Sequence, residues 1–454
     1  MKHKKGSLRS TIVVSLTNYL DAGAIVAGAS GLTLWQSYLG LAEGHLGWLN
    51  AISANCFGAA IGAFAGGFLA DKYGRKTIYT YNMLVYMLGI AIIMFAVNYP
   101  MLLLGFLTTG ISVGAGVPAS WTYISENSEA GNRGRNIGIS QFAWGVGPTI
   151  ILTLGMLLAP GKSGEAAGTL FAPVVQTVAG LFTDSSAGSA AVHVFSSRII
   201  FATLFIVAFI AWLLQRKLNE SKEWEKARAA EKEEKQPGVF SSFGAVFANR
   251  KNIRAMLFLA GIYLTWNFVA SVMGFFQQHI YETAGGLSNG QANMLTAVQW
   301  IIIVAVTYFG FAMLADKVNQ RWLYFFGTGI GIAAWLILVF IGIKSHLALW
   351  TFTILWGIQG GMSVQAFYAL WSSELFPAKY RAAVQGIMFF VVRGASALWG
   401  LVFVHIYGKG GEGFETAAYL MIGLLLVAWV IGVAGTPQTR GKSLQQITKE
   451  RYRK

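Results

Sequence analysis

A lone carboxylate, Asp21, stands about ten residues into an apolar run that extends from residue 11 to residue 36. Charged and unpaired in hydrocarbon, a carboxylate costs several kcal/mol, so it binds a proton or finds a cation. A carboxyl that loads a proton outside and releases it inside is the simplest coupling device for uphill uptake. The structural alternative is an acid held by hydrogen bonds to its neighbours. Arg393 is the only buried cation in the later apolar runs. Its planar fork can serve as counter-ion to Asp21, bind a carboxylate, sulfonate or phosphate on a solute, or cap backbone carbonyls. His405, late in the same run, reads as a satisfied polar residue near a segment end.

A second chemistry is electrostatic locking. The stretch Gly67-Phe68-Leu69-Ala70-Asp71-Lys72-Tyr73-Gly74-Arg75-Lys76 packs four charges and a turn glycine between two apolar segments. A weaker copy runs from Ala312 to Arg321 with Asp316 and Arg321, Gln320 replacing the second-half arginine. Ser125-Glu126 precedes Arg133 as Ser373-Glu374 precedes Arg381, with Arg135 close by. Asp71 and Asp316 are 245 residues apart, and Glu126 and Glu374 are 248 apart. Such near-constant offsets make the chain two halves of one plan. Asp71, Arg75, Glu126, Arg133, Arg135, Glu374 and Arg381, with the weaker Asp316 and Arg321, can close the inner ends of the segments. Paired charges are stronger there than at an open surface, and substrate binding must break them for alternating access. The plainer alternative is topology signals plus surface ion pairs.

Gln141 and Trp144 are three residues apart and share a helical face, which sets amide hydrogen bonds beside an aromatic plate. Sugar hydroxyls want donors and acceptors at the rim and an apolar plate for the C–H face. Asn267, Gln299, Gln365 and Tyr368 add polar groups at comparable depth in later segments. Singly each is equally suited to helix–helix hydrogen bonding; together they suggest a water-filled midplane cavity. No nucleotide-binding Gly-rich loop with a lysine, His-Glu-x-x-His or cysteine pair occurs, so neither a cofactor nor a metal is expected. The single Cys56 reads as a small packing residue. Transport driven by an ion gradient is expected, and an enzyme is not.

These groups need a scaffold that crosses a membrane. With 454 residues, 55% hydrophobic and 12% charged, the chain cannot cover a soluble globule of its size. A span takes about 20 apolar residues to cross roughly 30 Å of hydrocarbon. Twelve segments qualify, near 11–36, 46–69, 77–97, 100–124, 136–159, 197–216, 253–276, 293–314, 321–343, 347–374, 383–407 and 414–434. The fold class expected is all-α integral membrane, twelve transmembrane helices in two pseudo-symmetric six-helix bundles. The first bundle is 1–216, a linker helix 217–250, and the second bundle with its tail 251–454. Segment 160–195, rich in Gly, Ala and Ser, reads as a long outer loop with a short interfacial helix. The net charge of +15 suggests nucleic acid until it is mapped: 29 of the 34 Lys and Arg lie in one alternating set of loops and tails. That asymmetry puts both termini in the cytoplasm, against a lipid bilayer and with no nucleic acid.

The residues resemble the major facilitator superfamily and, within it, the sugar porter branch. Gly67 to Lys76 looks like the superfamily signature between spans two and three. Pro437-Gln438-Thr439-Arg440-Gly441-Lys442-Ser443-Leu444 is similar to the branch's Pro-Glu-Thr-Lys-Gly-Arg-Ser/Thr-Leu. Asn219-Glu220-Ser221-Lys222-Glu223-Trp224 resembles its Pro-Glu-Ser-Pro-Arg-Trp, Tyr19-Leu20-Asp21 its Gly-Tyr-Asp, and Gln141 its sugar-contacting glutamine. The chain departs from the branch at Phe106, where proton-coupled members carry an arginine. It also departs in span seven, with Thr265, Trp266 and Ser271, and in span ten, with Ala366 and Ala369. The resemblance implies a secondary transporter of the bacterial inner membrane that imports a sugar, polyol or sugar acid together with a proton. A uniporter or proton-coupled exporter of the same fold is the first alternative, and a transporter-like nutrient sensor the second.

Overall fold

The computed structural model describes residues 2–41, 43–52, 54, 56–129, 131–158, 171–184, 189–233, 244, 247–287, 289–362, 364–408 and 411–452. The described residues are helical, with no strand among them. In the first half the helices are α1 (Lys2–Ser30), α2 (Leu32–Leu39), α3 (Glu43–Ile52), α4 (Phe57–Tyr73), α5 (Arg75–Met94), α6 (Tyr99–Glu126), α7 (Arg133–Leu158), α8 (Ala172–Gly180) and α9 (Ala190–Gln215). After α10 (Lys222–Glu233) come α11 (Arg250–Thr283), α12 (Asn289–Val306) with a π-turn at Thr307–Ala312, α13 (Gln320–Ile341), α14 (His346–Met362), α15 (Val364–Glu374), α16 (Arg381–Tyr407), α17 (Phe414–Gly435) and α18 (Leu444–Tyr452).

Local chemistry sets several boundaries. The Asn98 side chain accepts from the Met101 N–H at 2.9 Å and starts α6, with Pro100 in its first turn. Asn249 and Asn319 cap α11 and α13 in the same way. Gly74 has φ of 104°, which lets α4 end and α5 begin without a gap. Eleven helical stretches among the described residues are long and apolar enough to cross a membrane. The second expected segment, 46–69, is divided between α3 and the 17-residue α4, which runs on to Tyr73. With α4 the span count is twelve. In the segment 160–195 α8 packs on α9 through Val175 and Ala179, while 159–170 and 185–188 lie outside the described residues. So does 234–243 of the linker.

Neighbour relations repeat between the halves. α1 packs on α7 and α9 as α11 packs on α16 and α17; α5 packs on α6 and α9 as α13 packs on α14 and α17. The halves meet through α4 against α16 and, as its twin, α7 against α12 and the π-turn. Small residues permit that approach. A Cβ on Gly67 would lie 2.4 Å from the Ala382 carbonyl oxygen, and one on Gly138 would lie 2.5 Å from the Ala312 Cα.

Candidate transport site and gate

At the end of the bundle that carries the basic loops, the two contacts between halves are locked by crossed charges. The Asp71 carboxylate, at the end of α4, accepts from the Ala382 and Ala383 N–H groups at 3.3 and 2.6 Å, so it caps the N-terminus of α16. Asp316 does the same for α7, accepting from Gly134 and Arg135 N–H at 3.0 and 2.7 Å. Burial raises the Asp316 carboxyl above the ordinary carboxylate range, while those bonds and the charges of Arg133 and Arg135 draw it back down. Glu126 reaches across to Arg381 at 2.6 Å, and Glu374 reaches back to Arg133 at 2.5 Å. Arg75 ties Asp71 at 2.9 Å to Glu126 at 3.2 Å and donates to the Ala378 carbonyl across the boundary at 2.5 Å. All three arginines are buried. The residues expected at the inner ends thus fall into two groups of crossed pairs, with two exceptions. Arg135 is exposed and joins through its backbone N–H, and Arg321 is exposed with no ion pair among the described residues.

The linker and tail add parts that the charges alone did not reveal. Glu220 accepts from the Lys76 N–H at 3.0 Å, Ser221 donates to Glu126, and the Trp224 indole donates to the Asp71 carbonyl at 2.7 Å. Arg133 donates to the Lys442 carbonyl at 3.0 Å. The signal was present in the two motifs that flank these residues, but no charge or spacing rule tied them to the gate.

Beyond the gate lies a cavity of about 930 Å³ between the halves. Along α7 it begins at Gln141, roughly 12 Å of helix above Arg133, and continues to Gly155. Gln141, Trp144, Asn267, Gln299, Gln365 and Arg393 all line it. The Gln365 amide donates to the Gln141 oxygen at 3.2 Å, an amide bridge from one half to the other. Trp144 packs against Trp300 with ring centroids 5.7 Å apart. Asn267 accepts from Ser396 at 2.8 Å, and Gln299 exchanges hydrogen bonds with Gln277 at 2.7 and 3.2 Å. Gln277, Gln359, Trp266 and Trp300 are wall residues that sequence reasoning did not assign; helical facing in spans seven, eight and ten would have found them once the first wall residue in each was known.

Two expected residues are not on the wall. Tyr368 is fully buried beneath it, stacked on Tyr263 with centroids 4.1 Å apart and planes 5° apart. Asp21 lies behind the wall, 1% exposed, and neither carboxylate oxygen has a hydrogen-bond partner among the described residues. The charge that acts on it through space is Arg393. Phe106, at the position of the branch's arginine, instead packs its edge against Phe201 and faces Gly28.

Two repeated halves around one central cavity, closed at one end by bonds between the halves, define an alternating-access solute transporter. Residues 11–400 match the Major Facilitator Superfamily, and the chain belongs to that family. It is a multi-pass membrane transporter and not an enzyme. It is similar to the minor myo-inositol transporter IolF of Bacillus subtilis, with 39% identity over 451 residues, 98% of this chain and 94% of that one. Its fold is similar to that of the proton:xylose symporter XylE from E. coli bound to 6-bromo-6-deoxy-D-glucose, at TM-score 0.76, 17% identity and 99% of both chains. The E. coli fucose:proton symporter FucP in an outward conformation matches at TM-score 0.73 and 15% identity over 94% of this chain and 98% of that one.

Proposed function

We propose that the protein imports a neutral polyol or sugar of inositol size by proton symport across the bacterial inner membrane, with both termini and the charged gate in the cytoplasm. The bundles are 1–216 and 251–454, joined by the linker 217–250. The observation that carries this reading is the wall itself: among the described residues, six amides from spans five, seven, eight and ten beside Trp144, Trp266 and Trp300. Amides supply both donors and acceptors to a hydroxylated ring, and the indoles cover its C–H face. The similarity to a myo-inositol transporter over nearly the whole chain supports a polyol, and the basic loops on one side support the orientation.

Asp21 is the proton carrier in this scheme, with Arg393 as the cation that favours its ionised form. Gln141, Trp144, Asn267, Gln299 and Gln365 contact the solute, and Tyr368 holds the floor. Proteoliposomes loaded with myo-inositol test it: Asp21→Asn is expected to lose uphill uptake driven by a proton gradient while keeping exchange of labelled for unlabelled solute. Persistent uphill uptake in that variant would remove Asp21 from the coupling.

A further inference from the structure

We infer that the contact between α7 and the π-turn carries a binding site for the headgroup of an anionic phospholipid in the leaflet on the gate side, and that this lipid holds the contact closed. The inference goes beyond the transport reading and does not depend on which solute the cavity takes. Arg135, Lys317, Arg321 and Arg440 are all exposed, and none has an ion pair among the described residues.

The four cations gather on one loop. Lys317 lies in it and Arg321 in the first turn of α13 that follows. Arg440 reaches over from the tail and donates to the Lys317 carbonyl at 2.9 Å, while the Arg135 N–H donates to Asp316 at 2.7 Å. Asp316, the acid of the loop, already spends its two oxygens on the Gly134 and Arg135 N–H groups. The neighbouring Lys442 is neutralised by Glu450 at 2.6 Å. The twin loop of the first half is covered differently. There Glu220 of the linker accepts from the Lys76 N–H through both oxygens, at 3.1 and 3.0 Å. An acid thus lies over the first loop and a further cation, Arg440, over the second. Like charges this close repel unless an anion joins them.

The rim of the loop selects a lipid. Trp322, beside Arg321, is 56% exposed and stacks at 5.9 Å on Phe326, which is 55% exposed and one turn further into the span. An exposed indole next to a cation at the end of a span marks the membrane–water boundary, where basic groups attract anionic headgroups. Val427 and Val430, exposed on the adjoining α17, extend the apolar surface for an acyl chain. A phosphodiester of net negative charge satisfies the cations, whereas a choline headgroup brings a cation of its own. Arg135 belongs to the first half and the other three to the second, so the four come together only while Asp316 caps α7. A ligand that binds this arrangement alone favours it. The lipid therefore reinforces the gate where Gln320 stands in place of a second buried arginine.

Two measurements on the full chain test this. In native mass spectrometry with equal amounts of both lipids, wild type is expected to retain phosphatidylglycerol over phosphatidylcholine at least about tenfold. The double variant Arg321→Gln/Arg440→Gln is expected to lose that preference. Arg250→Gln/Arg254→Gln removes the same charge from the same side, at the start of α11, and is expected to keep it. No preference in wild type, or equal loss in both double variants, overturns the site; the latter would mean diffuse attraction to a basic surface. Displacement of phosphatidylglycerol by inorganic phosphate would make this a free-anion site and overturn the lipid assignment.

Gate closure is read by maleimide labelling of Thr122→Cys in a Cys56→Ser background, since Thr122 is buried between the halves with a 2.9 Å bond to Gln385. Adding phosphatidylglycerol to phosphatidylcholine nanodiscs is expected to slow labelling at least about fivefold, and Arg321→Gln/Arg440→Gln to remove the difference. Equal rates in the two bilayers would overturn the coupling of the lipid to the gate. Neither readout involves the solute, so the polyol reading stands or falls separately.

Discussion

Gln320 occupies in the second half the place that Arg75 holds in the first. Each side chain donates to the carbonyl five residues before it, Arg75 to Ala70 at 3.2 Å and Gln320 to Ala315 at 3.3 Å. From there they diverge. Arg75 goes on to Asp71 and Glu126, whereas the Gln320 oxygen accepts from the Trp371 indole at 2.9 Å. Glu126 consequently faces two arginines and Glu374 faces Arg133 alone among the described residues. The gate is symmetric in geometry and asymmetric in charge, with its weaker side where α7 meets the π-turn.

Gln320→Arg should therefore strengthen the weak side. A new charge-assisted bond to Glu374 or Asp316 stabilises the closed gate by about 1.5 kcal/mol, which corresponds to roughly tenfold slower opening. Uptake by proteoliposomes is expected to lose that factor in turnover number while solute affinity changes little. Turnover at the wild-type rate would show that opening of this side does not limit transport.

Close approach of α4 and α16 is a separate requirement from charge. At Gly67 an added Cβ meets the Ala382 carbonyl at 2.4 Å, and at Gly386 it meets the Ala63 carbonyl at 2.2 Å. Gly67→Val is expected to hold these helices apart, leaving the gate open and uptake at least about tenfold down. Thr122 sits beneath the gate, hydrogen-bonded to Gln385 at 2.9 Å, so Thr122→Cys reports on it. Maleimide labelling of that cysteine from the gate side should be faster in the Gly67→Val background, and equal rates would refute the steric account.

What the sequence made legible, and what it hid, follows from where the information resides. The charge pairs between the halves were readable because charges in short loops at fixed offsets survive as one-dimensional pattern: Asp71, Arg75, Glu126 and Arg381 meet, and Arg133 meets Glu374. Helix facing was less readable. Gln365 and Tyr368 are three residues apart on α15, yet Gln365 reaches into the cavity while Tyr368 turns to stack on Tyr263. A helix that touches three neighbours has no single buried face, so periodicity cannot say which neighbour a polar side chain meets.

Asp71→Asn addresses the cap of α16. The substitution keeps one acceptor for the Ala382 and Ala383 N–H groups but removes the charge that favours the helix N-terminus and Arg75. Turnover is expected to drop about tenfold or more with solute affinity within about twofold. Lost affinity with normal turnover would place Asp71 in solute binding, not in the gate.

Gln141→Ala tests the amide bridge. Gln141 has two roles, a donor or acceptor for the solute and the acceptor for Gln365 across the halves. If the solute enters by replacing that bridge, Gln141→Ala and Gln365→Ala each cost about 1 kcal/mol, a roughly fivefold rise in Kd for myo-inositol. The double variant then costs clearly more than the sum, because each single variant is partly offset by having no bridge for the solute to break, and that relief is gained only once. Strict additivity would mean that the two amides bind the solute independently, and unchanged affinity in both single variants would take them out of the site. Gln299→Ala supplies the contrast: it leaves Gln277 with its Tyr281 bond at 2.9 Å but without its reciprocal amide, and its effect is expected to add to that of Gln141→Ala, since no bond joins the two pairs.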